Sequence, residues 1–179
     1  EATGWYTVDY SKAEVHGWGK DAGCGFQNDK CNTVSGGLGT YFCNDANAKS
    51  CTWDSKAVGQ CSVLTYSADL PTYFQYFSNP KLGGQTFIDK CPEVVGYSNR
   101  QCTATDVTRT QTDDVYAFYY GTNGRCVETN PVLTDTRYVQ QGSTQRCLQF
   151  QCPCPGTRLQ FKVMSSGWMD CPTDGTAGD

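Results

Sequence analysis

The 179-residue chain predicts an α+β fold that is disulfide-rich, made mostly of antiparallel β-structure and loops with a few short helices. Two observations carry this. Twelve cysteines are far above ordinary usage, and they do not fall into paired CxxC knuckles, so disulfides in an oxidising compartment outweigh metal or redox chemistry. Second, the apolar residues come in short alternating runs punctuated by Gly, Pro and Asn, the pattern of brief strands and turns. The hydrophobic share of 38% excludes the 19 glycines, so a modest core with many loops is expected. The length suits one domain, or one domain and a fragment of another.

Taken in order, EATGWYTVDY (1–10) alternates weakly and predicts a short strand, with Tyr6, Val8 and Tyr10 on one face. Ser11 to Glu14 reads as one helical turn capped by Ser11, with Glu14 three places on. Gly17-Trp18-Gly19 interrupts any helix, and Cys24 sits in a Gly-flanked turn. From Cys31 to Cys61 the chain is rich in Gly, Asn and Ser with little periodicity. Covalent links must order such a stretch, because it buries too little to order itself.

Residues 69–102 hold the densest aromatic run, Tyr73, Phe74, Tyr76 and Phe77, and are expected to form the centre of the core, pinned at Cys91 and Cys102. Pro71 fits the first turn of a short helix with Asp69 near its N-cap, and Asn79-Pro80 ends it. A second helical turn is expected around Thr86 to Lys90. Val115 to Tyr120 has strand character and leads through GTNG into Arg125 to Thr129, which reads as a hairpin. Arg137 to Gln140 is a weaker strand. Arg158 to Met164 alternates Leu159, Phe161 and Val163 against Gln160, Lys162 and Met164, a half-buried strand.

The composition also limits function. A net charge of −4 with scattered Lys and Arg argues against nucleic acid as a partner. His16 is the one histidine, which excludes metal sites needing two imidazoles. No apolar run approaches the roughly 20 residues of a membrane span. Export is expected from the cysteines, which places the protein outside the cell or on its surface. With no leader at Glu1, the chain is expected to be cut from a longer precursor. None of the asparagines is followed two places on by Ser or Thr, so no N-glycosylation site is present.

No catalytic constellation emerges. His16 reads as a loop residue, and Asp113-Asp114, adjacent on a strand, would point to opposite faces rather than share a proton. Cys152-Pro153-Cys154-Pro155 is the one compact thiol motif, better explained by separate disulfide partners than by zinc. The aromatic run at 73–77 is better explained as core than as a ligand platform. On the residues alone, no catalytic, cofactor-binding or metal-binding residue is assigned.

Several long segments resemble one family. GWYTVDYSKAE (4–14), WGKDAGCGF (18–26), the Cys43, Cys51, Cys61 ladder, LPTYFQYFSNPKLGG (70–84) and DKCPEVVGYSNRQC (89–102) are similar to leishmanolysin, a family of surface zinc metalloendopeptidases. The likeness spans nearly the whole chain and is weakest over 103–125. The family's zinc is held by an HExxH helix, a distant third histidine and a Met-containing turn, and the glutamate activates the zinc-bound water. This sequence has no HExxH, and His16 does not match the third ligand.

The resemblance therefore implies that residues 1–24 end the family's central catalytic domain and residues 25–179 form its C-terminal domain. Zinc would belong to the parent protein and not to this chain. The partners implied are the upstream catalytic domain and protein or peptide substrates. Contact with a membrane would come through a lipid anchor beyond residue 179. The alternative is a secreted cysteine-rich binding or adhesion module without protease activity. The family's disulfide pattern implies Cys31 with Cys91, Cys43 with Cys61, Cys51 with Cys126, and Cys102 with Cys147. Cys51–Cys126 would cross the other three. Cys24, Cys152 and Cys171 would pair outside the chain, and Cys154 departs from the pattern.

Overall fold

The computed structural model describes residues 4–5, 7–13, 17–33, 41–106, 118–129, 144–153, 158–163 and 166–171. Among these the secondary structure is antiparallel strands, one single-turn α-helix and three 3-10 turns, a disulfide-rich, β-dominated α+β fold as the sequence predicts.

β1 (Lys49–Cys51), β2 (Ala57–Cys61) and β5 (Val94–Gln101) form one sheet in the order β1-β2-β5. β3 (Leu64–Thr65) and β4 (Leu82–Gly83) make a two-stranded ribbon. β6 (Gly124–Glu128), β7 (Gln145–Gln151), β8 (Gln160–Lys162) and β9 (Met169–Asp170) form a second sheet, paired in chain order. β1 and β2 lie against β6 and β7, and the main core fills that junction. It consists of Val58, Phe118 and the half-cystines Cys102, Cys126 and Cys147, with Tyr97 and Tyr120 packed against it. A second, smaller cluster gathers Cys31, Phe42 and Cys91 under a rim of half-buried aromatics.

β1 and β2 arise in the stretch where no strand is expected, and β5 also carries weak strand chemistry (Gly96, Ser98, Asn99). Their pairing depends on close backbone approach. Gly59 faces Gly96 across the β2–β5 pair, and a Cβ at Gly59 would run into the Val95 carbonyl. Glycine there is needed for packing, so the residue that weakens the local strand signal is the one that permits the sheet.

Several expectations are corrected. Among the described residues the strand expected over 1–10 is absent: residues 7–9 are irregular and Tyr10–Lys12 is a 3-10 turn. Trp5 is 81% exposed and Tyr10 65%, so the alternation there has no buried face to serve. Asp9 caps that turn, accepting from the Ser11 amide and hydroxyl, in place of the expected Ser11 cap. Those two bonds, the hydroxyl's first, hold the Asp9 carboxyl below its usual range. The Cys24 turn runs on into α1 (Gly25–Asn28).

The helix expected to carry Tyr73 to Phe77 is only a 3-10 turn, Thr72–Phe74, with Pro71 and not Asp69 at its cap. Nor is the aromatic run the centre of the core. Tyr73 is 62% exposed and its ring meets Phe74 edge-on at 4.5 Å, while Leu70 is the buried member of the stretch. Residues alternating around a 3-10 turn cannot all face inward, and the half-cystines take the interior instead. The turn expected at Thr86 to Lys90 is a 3-10 turn, Thr86–Ile88, stopped by Asp89 in the left-handed region.

The expected hairpin is also re-paired. Its second arm is β6, but β6 pairs with β7, in the register Cys126 opposite Cys147, and Phe118 to Tyr120 is not a strand. Tyr119 donates its amide to the Cys147 carbonyl, and Phe118 goes into the core. The strand expected over 158–164 is shorter, Gln160–Lys162. Residues 115–117 and Arg137 to Gln140 lie outside the described residues.

Candidate functional site

The eight cysteines singled out in the sequence form four bridges: Cys31–Cys91, Cys43–Cys61, Cys51–Cys126 and Cys102–Cys147, the same pairs the resemblance implies. Their Cα separations run from 5.2 Å at Cys102–Cys147 to 5.9 Å at Cys31–Cys91, within the usual disulfide range. Cys51 lies on β1 and Cys126 on β6, whereas Cys102 directly follows β5 and Cys147 lies on β7. Both bridges therefore fasten one sheet to the other. Because Cys126 and Cys147 are cross-strand neighbours, the two links stand side by side. Cys51–Cys126 crosses the other three along the chain, but it shares the work of joining the sheets.

Backbone bonds lock the same junction. The Cys126 amide donates to the Ser55 carbonyl (2.6 Å) and the Cys102 amide to the Lys56 carbonyl (2.7 Å). Gly121 donates to the Cys102 carbonyl (3.0 Å), and Gly124 lies so close to that carbonyl that no Cβ would fit. The other two bridges hold the aromatic cluster. Cys31–Cys91 lies within it, and Cys43–Cys61 ties the loop after Phe42 to β2, helped by a bond from the Cys43 amide to the Pro92 carbonyl (3.0 Å).

One residue of this junction carries no mark in the sequence. The Glu128 carboxylate accepts from the Ser50 hydroxyl (2.9 Å) and the Cys51 amide (3.1 Å) on β1. It also accepts from the Thr144 hydroxyl (2.9 Å) and the Gln145 side-chain amide (2.5 Å) at the start of β7. It bridges three strands with one side chain. A glutamate at a strand end has no local pattern that announces such a role.

Cys24, Cys152 and Cys171 are unbridged among the described residues, and Cys154 lies outside them. Cys152 is exposed and lines an open groove of about 600 Å³ together with Ser55, Arg125, Phe150 and Leu159. Burial first, and then the charges of Asp170 and Cys152, push the Cys171 thiol up. His16, Asp113 and Asp114 lie outside the described residues. Among the described residues no three His, Cys, Asp or Glu side chains cluster as a metal site would require. No helix among them is long and apolar enough to cross a membrane.

A smaller cavity, about 260 Å³, opens at the aromatic cluster. Trp18 stands edge-on to Phe26 (6.0 Å), Tyr41 (5.1 Å), Phe42 (5.8 Å) and Trp53 (5.3 Å), while Phe26 and Phe42 stack at 5.8 Å. Tyr76, from the aromatic run, completes the wall and donates its hydroxyl to the Asp89 carbonyl (3.0 Å). Burial, and then the Asp89 charge, raise the Tyr76 phenol above its usual range.

Comparison with known proteins agrees with this framework. The profile of peptidase family M8, leishmanolysin, matches residues 1–177. Leishmanolysin of Leishmania amazonensis is 31% identical over 94% of this chain and 28% of its own length. That of Leishmania tropica is 29% identical over 94% of the chain and 30% of its own length, and that of Leishmania major 44% identical over 56% and 17%. A leishmanolysin-like peptidase of Drosophila melanogaster is 22% identical over 94% and 32%. The chain thus spans less than a third of the length of these curated relatives. Matched by the family's profile over residues 1–177, the chain belongs to the leishmanolysin family.

Proposed function

We propose that this chain is the non-catalytic, C-terminal part of a leishmanolysin-like zinc metalloendopeptidase, and that it supports a catalytic unit carried elsewhere in the parent protein. One observation carries the reading: the family match covers residues 1–177, yet the sequence contains a single histidine and no HExxH. The family is one of zinc metalloproteases, whose metal needs two imidazoles from one helix and a third from elsewhere. A chain with one imidazole does not fit that donor set, and no step of hydrolysis is assigned to its residues. Residues 1–24 would end the central domain and 25–179 would form the C-terminal domain, the part that packs beside the cleft.

The structure supports the support role through its cross-linked frame. Four bridges and the Glu128 network hold two small sheets rigid where their hydrophobic cores alone are small. The same disulfides suit an extracellular or cell-surface location, since they persist in oxidising surroundings. Protein or peptide substrates and the upstream domain are the partners this reading names.

The test is proteolysis of casein by the purified 179 residues, with and without a zinc chelator. No chelator-sensitive turnover is expected. Turnover that zinc restores and chelator removes would overturn the assignment.

A further inference from the structure

The aromatic cavity has a chemistry that the support role does not use. Trp18, Phe26, Phe42 and Tyr76 form its walls, and Asp29 and Asp89 are among its lining residues. Neither carboxylate makes a hydrogen bond or ion pair among the described residues, where Lys56–Asp54 is the one ion pair. The lysines next to them in sequence are directed elsewhere. Lys30 donates to the Thr72 carbonyl (3.1 Å). Lys90 donates to the Tyr66 hydroxyl (3.0 Å) and the Thr86 hydroxyl (2.6 Å), with its ammonium over the Tyr66 ring. The cavity is thus aromatic and lined by two aspartates whose sequence-adjacent lysines bond elsewhere.

We propose that this cavity binds an arginine side chain presented by a protein partner. Three features select that occupant. Aromatic faces attract a cation through their quadrupole, and a guanidinium also stacks flat against them. Two lining aspartates without partners among the described residues call for N–H donors in a planar fork, which a guanidinium supplies and a quaternary ammonium does not. A lysine ammonium has the donors, but its charge is compact and strongly hydrated, so the aromatic walls gain less from it. The volume, about 260 Å³, suits one long side chain and falls below the roughly 300–1,000 Å³ of pockets for drug-sized ligands. The site does not depend on the support role, and would serve as well in a free-standing module.

The test is an NMR titration of the whole chain with N-acetyl-arginine methylamide, with the citrulline and lysine analogues and tetramethylammonium as comparisons. Saturable shifts of the Trp18 indole and of the Gln27, Asp29 and Asp89 amides are expected with the arginine probe. They should be absent with neutral citrulline and weaker with the other two. The paired change Asp29→Asn and Asp89→Asn should lower the arginine affinity about tenfold or more, because both charge-assisted bonds lose their charge. Asparagine tolerates the left-handed backbone of Asp89, so this variant keeps the fold, checked by its undisturbed amide spectrum. Absence of saturation with arginine, equal binding of citrulline, tighter binding of tetramethylammonium, or unchanged affinity in the folded double variant would each overturn the proposal.

Discussion

Glu93 shows how a single side chain sets a pH dependence here. It precedes β5, half-buried beside Thr52, Trp53 and Ala57 in a cavity of about 250 Å³, and its carboxylate has no hydrogen-bond partner among the described residues. Burial raises its pKa above the ordinary glutamate range. A carboxyl raised in the folded state adds stability below its unfolded value, about 4.3, and loses that stability as pH rises through the folded value. Glu93→Gln removes the ionisation, so the variant is expected to be more stable than the parent at pH 7 and equal to it below about pH 4. Urea unfolding at the two pH values measures this, and a difference of the same size at both would contradict it. The sequence marks the cysteines plainly, yet neither Glu93 nor Glu128 can be read from it. Their roles come from neighbours that the fold brings together, 77 and 78 residues apart in the case of the Glu128 bonds to β1.

At the scale of elements, legibility follows the locality of the forces. The turn at Thr86–Ile88 and the strand around Phe161 are visible because their signals lie within a few residues. β6 is visible as a strand but not in its partner, since a nearby GTNG turn suggests a hairpin whereas the side-by-side bridges favour β7. β2 is the least visible and the most buried, because its stability comes from β1, β5 and the core rather than from its own residues. Gly59 is the tightest point of that pairing. Replacing it by alanine forces the Cβ against the Val95 backbone, and the overpacking is expected to cost about 1–3 kcal/mol. A fall in the urea midpoint of Gly59→Ala is the expected result, and an unchanged midpoint would show that β2 and β5 part without strain.

Among the described residues, two small cores and three small sheets are held as one by covalent links. Loop closure favours the long links. A bridge closing the 75-residue separation of Cys51 and Cys126 stabilises by about 4.5 kcal/mol in the chain-entropy estimate, against about 3 kcal/mol for the 18-residue separation of Cys43 and Cys61. The fold class was legible because cysteine count and short strands bear directly on it. The pairing was legible only through resemblance to leishmanolysin, since many pairings are compatible with twelve cysteines. The aromatic cavity was not legible at all. Trp18, Asp29, Phe42, Tyr76 and Asp89 are gathered by the Cys31–Cys91 bridge from segments that show no common pattern.

The claim that carries the rest is that two adjacent bridges fasten the two sheets. Cys126 and Cys147 face each other across β6 and β7, so a mispaired chain has a ready alternative in a direct Cys126–Cys147 link. Peptide mapping of the folded chain under non-reducing conditions separates the two arrangements. Peptides joining Cys51 to Cys126 and Cys102 to Cys147 are the expected result. Peptides joining Cys126 to Cys147, or Cys51 to Cys102, would contradict the account.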